Sequence, residues 1–287
     1  MRLLLRSTKK LLALYWLIAY VFWLPIYVLL KMGYIDVNEL NYFTIAIQNV
    51  LFSLILLLTA LFIIRIKGEN ISKKYFGLEV SNVIDIIIYS GLAVLPFAVL
   101  YLIALFLIYR GLNIEPHIMA SLPLFIVKDF SKELVPIVGI MHWTWNGIIS
   151  FMLLQAFPYE IAEREFGAKK GFALTFILWS GMYNGLFYTI IFGLPLPVTL
   201  LGEIIDVVIL GFIFLLVYRK VRNCLGLIIA YVFVYEAPVK ACVYYGWGLS
   251  ALIPLMILGI LWQLVSLSIY IERKINILNG HNLKDFV

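Results

Sequence analysis

Long stretches without charged side chains alternate along the chain with short segments rich in lysine and arginine. A helix needs about 20 mostly apolar residues to cross the hydrocarbon core of a bilayer. Six stretches of at least 20 residues contain no Asp, Glu, Lys or Arg: 11–30, 40–64, 86–109, 134–159, 171–202 and 241–271. The pattern therefore predicts an all-α, polytopic membrane protein.

The two longest stretches exceed one span and contain helix-breaking residues. The sequence GLPLP at 193–197 interrupts the first, because proline removes a backbone donor and disfavours helix at the residue before it. The sequence GWG at 246–248 interrupts the second. Dividing the chain at these turns gives one transmembrane domain over residues 1–287 with eight predicted spans: 11–30, 43–64, 83–109, 134–157, 171–193, 198–218, 225–245 and 250–271.

The composition agrees with this class of protein. Hydrophobic residues make up 64% of the chain and charged residues 13%, whereas soluble globular proteins have roughly 45–50% and 25%. These proportions exclude an ordinary soluble enzyme, a disordered chain and a disulfide scaffold. An outer-membrane barrel is excluded as well, because its strands give short alternating segments and no long apolar runs.

Lysine and arginine determine the predicted orientation, because loops that carry them stay in the cytoplasm. Of the 22 Lys and Arg residues, 17 fall in the two termini and in the second, fourth and sixth loops, and four fall on the other side. We therefore expect a multi-pass protein of the cell membrane with both termini cytoplasmic and the lipid bilayer as its main partner. This asymmetry explains the net charge of +6, so no binding to nucleic acid is expected.

Two segments outside the predicted spans carry separate expectations. Residues 118–127 (IMASLPLFIV) are apolar but too short to span, so we expect them to lie in the interface or to re-enter the membrane. Residues 158–170 (PYEIAEREFGAKK) are dense in charge. They are predicted to form a solvated cytoplasmic helix, with contact to a partner or substrate as the alternative.

Polar side chains on four predicted spans lie at similar depth in the outer half of the membrane. Ionisable groups at the bilayer centre cost roughly 2.5–3.5 kcal/mol each on insertion scales, which makes them candidates for function. We expect a cavity lined by polar side chains of these four spans: His142 and Asn146 on the fourth, Tyr183 and Asn184 on the fifth, Glu203 and Asp206 on the sixth, and Tyr231, Tyr235, Glu236 and Lys240 on the seventh.

Each of these residues also has a purely structural interpretation. Glu236 and Lys240 are four residues apart, in the order that favours an intrahelical ion pair. We expect Lys240 to be compensated by Glu236, by Asp206 or by both. Glu203 and Asp206 can lie among the lipid headgroups, and His142 is more often a hydrogen-bonded histidine of the bundle than a ligand. The amides and tyrosines commonly join helices by hydrogen bonds.

The sequence offers few ligands for a metal. It contains no H-E-x-x-H and no C-x-x-C, and zinc requires a close set of His, Cys, Asp or Glu side chains. The candidates for a catalytic set are His142, Asp206 and Glu236. They would hold zinc only if their side chains converge to within about 4–5 Å. We therefore predict no metal and no other cofactor.

Three further segments are similar to landmarks of a known membrane family. They are residues 74–79 (KYFGLE), residues 153–155 (LLQ) with 163–167 (EREFG), and residues 217–220 (VYRK) with Cys224 and Leu225. Together they resemble the CPBP, or ABI, family of CAAX-processing and bacteriocin-processing membrane peptidases, which includes the prenyl-protein endopeptidases. The resemblance covers roughly residues 74–245. It implies an eight-span helical fold with a metal-dependent peptidase site inside the membrane.

The positions that this resemblance assigns to catalysis hold other residues. The family carries paired glutamates and an arginine on the fourth span, a histidine on the fifth, and His-x-x-x-Asn on the seventh. Counted from Gln155, these fall near Asn146 and Gly147, near Phe151, on Tyr183 or Asn184, and on Tyr231 and Tyr235 or Val232 and Glu236. Because the family's glutamate and histidines hold or activate a metal-bound water, their replacement implies loss of that chemistry.

The sequence thus predicts a divergent, non-catalytic CPBP-like protein, a pseudoenzyme that holds a membrane-bound peptide or lipid in the bundle cavity. A small transporter with an acidic and basic relay is the first alternative. Pro238, between Glu236 and Lys240, is compatible with the broken helix of a transporter. A membrane metallohydrolase that uses His142, Asp206 and Glu236 is the second alternative, and it alone would need zinc.

Overall fold

The computed structural model describes residues 7–32, 34, 41–79, 82–96, 130–131, 134–183, 207–236 and 249–282. Every regular element in these ranges is helical, which confirms the all-α class for them. The α-helices there are α1 (Thr8–Lys31), α2 (Tyr42–Ile66), α3 (Val83–Ala93), α4 (Val135–Gly147), α5 (Phe157–Phe166), α6 (Ala168–Tyr183), α7 (Phe214–Val221), α8 (Leu225–Ala230) and α9 (Leu249–Asn282).

Three π-helical segments extend these helices: π1 (Ile148–Ala156) joins α4 to α5, π2 (Val207–Ile213) leads into α7, and π3 (Tyr231–Glu236) continues α8. Between π1 and π2, Gln155 Nε2 donates a hydrogen bond to the carbonyl of Leu210 at 2.8 Å. The side chain of Gln155 thus connects two of the irregular segments.

Most described helix ends lie within three residues of the predicted span boundaries. Two helices continue beyond the predicted ends of their spans. The fourth span is predicted to end at residue 157, but the helix continues through α5 to Phe166. The last is predicted to end at residue 271, but α9 continues to Asn282. Both extensions carry charged side chains, and charge ends an apolar run without ending a helix.

Three predictions concern residues outside the described part of the chain. They are the segment 118–127 and the breaks at 193–197 and 246–248.

The prediction of a solvated helix over residues 158–170 is wrong for its first part. All side chains from Phe157 to Ala162 of α5 are buried. Gly167, at φ +80°, ends α5, and α6 returns against it at very close range. A Cβ on Gly171 would lie 2.7 Å from the backbone nitrogen of Glu163. The high charge of the segment misleads because Glu160 is the one charged residue among its first five, and it points inward.

The second helix, α2, is apolar on both sides. It begins where Asn41 Oδ1 accepts a hydrogen bond from the Thr44 nitrogen at 2.8 Å, a typical N-cap. Its inner face includes Phe52, Leu56, Ala60 and Ile63, and its outer, exposed face includes Ile47, Leu54, Leu58 and Phe62. Within the described ranges, two helices are long and apolar enough to cross a membrane, Tyr42–Ile66 and Ile137–Phe166.

Helices α3 and α9 pack against each other in antiparallel register. Three contacts give that register: Asp85 with Arg273, the Ile87 carbonyl with Trp262 Nε1 at 3.1 Å, and the Val94 carbonyl with Gln263 Nε2 at 3.2 Å. A Cβ on Gly91 would collide with the Ser266 hydroxyl. Small residues therefore allow the two backbones to approach closely, as is common between helices in membranes.

A glycine before α3 makes one of the tightest contacts described. The short 3-10 turn Lys73–Phe76 ends at Gly77, whose φ is +64°. The Gly77 carbonyl accepts a hydrogen bond from the Cys224 nitrogen at 2.7 Å. A Cβ at this position would lie 2.5 Å from Cys224 Sγ and 2.8 Å from Tyr218 Cε2. Conformation and space therefore both require glycine where the segment before α3 meets the segment before α8.

We expect Gly77→Ala to destabilise the protein more than Gly68→Ala. Both glycines have a left-handed backbone, with φ of +64° and +71°, and alanine there costs about 1–2 kcal/mol. Nothing lies within 4 Å of a Cβ at Gly68, whereas crowding at Gly77 should add about 1–3 kcal/mol. Unfolding midpoints of the two variants under the same conditions measure the difference. Equal midpoints would contradict the close approach of Gly77 and Cys224.

Candidate functional site

His142 and Asn146 form a hydrogen-bonded pair on α4. Asn146 Nδ2 lies 3.1 Å from His142 Nε2, as expected for side chains four residues apart on one helix face. His142 is buried. Its ring centroid lies 4.7 Å from that of Trp143 and 6.0 Å from that of Tyr42. The geometry fits the structural interpretation of His142, a histidine hydrogen-bonded within the helix bundle.

Most other predicted cavity residues lie outside the described part of the chain. This group comprises Asn184, Glu203, Asp206 and Lys240 entirely, and the side chains of Tyr183, Tyr235 and Glu236. The convergence of His142 with Asp206 and Glu236, and the compensation of Lys240, therefore stay predictions. Among the side chains that are described, no three His, Cys, Asp or Glu residues come close enough to share a metal ion.

Helix α4, with π1, meets α8 and π3 at the positions where the CPBP resemblance would put catalytic residues. A Cβ on Gly147 would lie 3.2 Å from Ile228 and 3.4 Å from Tyr231. One turn later, the Phe151 ring lies 5.4 Å from the Tyr231 ring and 5.1 Å from the Phe214 ring. These aromatic side chains are all buried. Apolar contacts therefore fill this junction between the helices.

A second polar cluster, which the sequence analysis missed, lies at the other end of the same continuous helix. Glu160 is 1% exposed, and its Oε1 accepts from Arg222 Nη1 at 2.5 Å and from the Tyr218 hydroxyl at 3.0 Å. Glu163 Oε1 accepts from Arg222 Nη2 at 2.8 Å and from the Tyr159 hydroxyl at 2.9 Å. We name this group of five side chains the Arg222 clasp.

The backbone and the side chain of Arg222 both serve this cluster. Arg222 caps the C-terminus of α7 in the left-handed conformation, at φ +54°. Its guanidinium directs different nitrogens at the two carboxylates and lies 5.1 Å from the Tyr159 ring centroid. A planar guanidinium is suited to such a bridge, whereas a lysine ammonium is not. One residue thus ends α7 and joins it to α5.

A neighbouring ion pair joins α5 to the chain before α3. Arg164 Nη1 donates to Glu69 Oε2 and to the Tyr75 hydroxyl, both at 2.5 Å. The guanidinium also lies 4.7 Å from the Tyr75 ring centroid. Lys67 Nζ lies 3.3 Å from Glu69 Oε1. The segment after α2 and the turn before α3 are therefore both tied to α5.

The charges of these groups are stabilised by their partners. Burial alone would raise the pKa of Glu69, but hydrogen bonds from Arg164 and a neighbouring lysine hold that pKa below its usual range. Burial alone would lower the pKa of Arg222, but its carboxylate partners raise it.

Burial and the nearby Glu160 carboxylate raise the pKa of Cys224 well above its usual range. At neutral pH Cys224 is therefore a protonated thiol and a poor nucleophile.

The Arg222 clasp is suited to holding helices and poorly suited to catalysis. Both carboxylates are already paired with one guanidinium, so a metal ion would have to displace Arg222. The Glu160 carboxylate is also too buried to meet a substrate. Two features of the sequence indicate the clasp. Glu160 stands between apolar neighbours, and Tyr159 is four residues before Glu163, a spacing that places both on one helix face.

The basic segments assigned to the cytoplasm meet at one end of the structure. Each contributes a contact there: Lys9 with Glu165, Lys67 with Glu69, Arg164 with Tyr75, Arg222 with Glu160, and Arg273 with Asp85. Lys220, whose Nζ lies 5.9 Å from the Tyr89 ring centroid, connects the end of α7 with α3. We name this region the basic end.

The three segments that carry the family resemblance touch each other at this basic end. Gly77 of the first segment contacts Cys224 of the third through a backbone hydrogen bond. Tyr75 of the first accepts a hydrogen bond from Arg164 of the second. In the second segment, Glu163 pairs with Arg222, which lies between the two parts of the third. Segments that are distant in the chain therefore form one contact region.

No family model, no curated protein and no solved structure matches this chain. Its function must therefore be inferred from its own side chains. Two arrangements carry that inference, the apolar junction of Gly147, Phe151 and Tyr231 and the ion pairs of the basic end.

We expect Arg222→Ala to lower stability far more than Lys9→Ala. The first substitution leaves the buried Glu160 without its cation, which typically costs about 3–5 kcal/mol. The second breaks a 4.0 Å pair in which the Lys9 side chain is 64% exposed, and such pairs contribute about 0–1 kcal/mol.

Unfolding midpoints of the purified variants measure this difference. Adding Glu160→Gln to Arg222→Ala should restore part of the stability, because the unpaired charge is removed. The unfolding midpoint of Arg222→Lys should stay below that of the wild type, because a lysine ammonium is poorly suited to bridge two carboxylates. If Arg222→Ala and Lys9→Ala shift the midpoint equally, the clasp does not hold the fold.

Proposed function

We propose that the chain is a multi-pass membrane protein with eight spans and both termini in the cytoplasm. The exposed apolar faces of its helices support this. On α2 the outward side chains include Leu54, Leu58 and Phe62, and on α9 they include Leu258 and Leu261. A soluble monomer rarely exposes contiguous apolar area on this scale. Lipid tails would cover these faces without an energetic penalty.

The clustering of charge supports the proposed orientation. Five basic segments that are far apart in sequence meet at the basic end. An even number of spans brings both termini and every second loop to the same side. Retention of Lys and Arg in the cytoplasm then makes the basic end the cytoplasmic one.

Reporter fusions test this topology. A reporter at the C-terminus should give a cytoplasmic signal, because α9 ends at the basic end. The same reporter in the 193–197 turn should give the opposite signal, because five predicted spans precede it. A fusion after residue 68, in the second loop, is the matched cytoplasmic control. Signals from the same side at 193–197 and at the C-terminus would rule out the eight-span arrangement.

We further propose that the chain is a divergent, non-catalytic relative of the CPBP-type membrane peptidases that binds a membrane-bound peptide or lipid. The observation that carries this proposal is the apolar junction of Gly147, Phe151 and Tyr231. Carboxylates, an arginine and a histidine would be needed there for the family's chemistry. Gly147 and Phe151 supply no metal ligand, and a tyrosine is not among the His, Cys, Asp and Glu ligands that zinc prefers.

The contact of the three landmark segments also supports a relationship in fold. The Gly77–Cys224 and Tyr75–Arg164 contacts use residues within those segments. Such contacts stabilise a scaffold and do not take part in chemistry. A chain held together by such contacts, with other residues at the catalytic positions, is expected to have the fold without the activity.

A fluorescent farnesylated peptide with a CAAX ending tests this function on the purified protein in detergent. We expect saturable binding, intact peptide after prolonged incubation, and zinc far below one ion per chain. A soluble fluorescent peptide without the prenyl group is the control ligand. Cleavage that is lost on chelation and in His142→Ala would instead support the metallohydrolase. Absence of binding, with proton or ion flux in proteoliposomes, would support the transporter.

A further inference from the structure

Two exposed lysines at the basic end lie over a pair of tyrosine rings. Tyr89 on α3 and Tyr270 on α9 form an edge-to-face pair with ring centroids 6.2 Å apart. Lys220 Nζ lies 5.9 Å from the Tyr89 centroid, and Lys274 Nζ lies 5.9 Å from the Tyr270 centroid. We name these four residues the lysine–tyrosine cluster. It spans three helices that are not consecutive in the chain.

The ammonium and hydroxyl groups of this cluster have no polar partner within the described part of the protein. Neither ammonium forms an ion pair there, and neither tyrosine hydroxyl forms a hydrogen bond there. The adjacent Arg273, by contrast, is paired with Asp85. Two positive charges and two hydroxyl donors thus remain available. Groups of this kind attract an anion with several acceptor oxygens, such as a phosphate.

The position of the cluster along α9 corresponds to the headgroup level of a bilayer. On the side toward the bilayer centre, Leu264 and Val265 are exposed and apolar. Trp262, two turns from Tyr270, donates to α3 at a deeper level. Tyrosine and tryptophan rings concentrate at the interface of membrane proteins, where lysines extend toward the headgroups.

We propose that Lys220 and Lys274, above the rings of Tyr89 and Tyr270, bind the phosphate of an anionic phospholipid at the cytoplasmic face. The proposal rests on the membrane orientation given under Proposed function. The ammonium groups pair with the phosphate, and the tyrosine hydroxyls donate to its oxygens. The acyl chains follow the exposed apolar surface of α9. A free phosphate ion would gain nothing from that apolar surface, which favours a lipid as the ligand.

The test uses the full chain in detergent and short-chain phospholipids as probes. Native mass spectrometry counts bound dioctanoyl phosphatidylglycerol against dioctanoyl phosphatidylcholine. We expect phosphatidylglycerol to bind more tightly, and the double variant Lys220→Gln with Lys274→Gln to weaken it by about tenfold or more. The variant Lys220→Arg with Lys274→Arg should retain binding, because it keeps both charges.

The matched control is Lys169→Gln with Lys170→Gln. These lysines are also exposed, lie at the start of α6 at the same end of the protein, and have no tyrosine ring beneath them among the described contacts. This variant loses the same charge, so its affinity for phosphatidylglycerol should change less than about twofold. Equal weakening in both double variants would show diffuse attraction and overturn the site. Thermal midpoints of both variants confirm that each is folded.

Two further outcomes would also overturn the proposal. Equal binding of phosphatidylglycerol and phosphatidylcholine would show that the phosphate charge is not recognised. Displacement of phosphatidylglycerol by millimolar inorganic phosphate would make the ligand a free anion. The reporter fusions separate these results from a failure of the proposed topology. If the topology holds and lipid selectivity fails, the lysine–tyrosine cluster alone is assigned wrongly.

Discussion

The buried Glu160 carboxylate and its pairing with Arg222 constrain the rest of the structure. A carboxylate without solvent is tolerated only when a cation and hydrogen-bond donors surround it. Arg222 and Tyr218 provide both, and they belong to α7 and its C-terminal cap. Helix α5 therefore has one position against α7. The left-handed backbone of Arg222 then aims the following segment at Gly77, which brings the start of α8 to the start of α3.

The middle of the bundle is organised differently, by aromatic rings and π-helical turns. Phe151 touches Phe214 and Tyr231, so π1 meets the start of α7 and the start of π3 at one side chain. Gln155 adds a hydrogen bond to the Leu210 carbonyl of π2. The three irregular segments thus interlock where the helices cross. This region contains no ion pair among the described side chains, so it contributes packing, whereas the basic end contributes directional contacts.

The sequence predicted the helices well and the polar contacts poorly, for one physical reason. The length of an apolar run is a property of the sequence alone, so the apolar runs predict where α2 and α8 begin. The face that a helix buries depends on its neighbours, and on α2 both faces are equally apolar. The high charge of its segment predicts that Glu160 faces solvent. Its burial depends on Arg222, 62 residues away in sequence. By contrast, the His142–Asn146 pair is local, because the two side chains are four residues apart on one helix face.

The ion pairs of the basic end and the apolar junction contribute to the fold in different ways. In a membrane, helices gain little from burying apolar side chains against each other, because lipid is equally apolar. Close packing and polar contacts must then select the native arrangement. Here those contacts range from Gly91 against Ser266 to Arg222 against Glu160, and the Cys224 thiol donates to the Phe151 carbonyl at 3.3 Å. Truncating the buried Phe151 to alanine would cost about 3–5 kcal/mol, and replacing Arg222 would leave the buried Glu160 carboxylate unpaired.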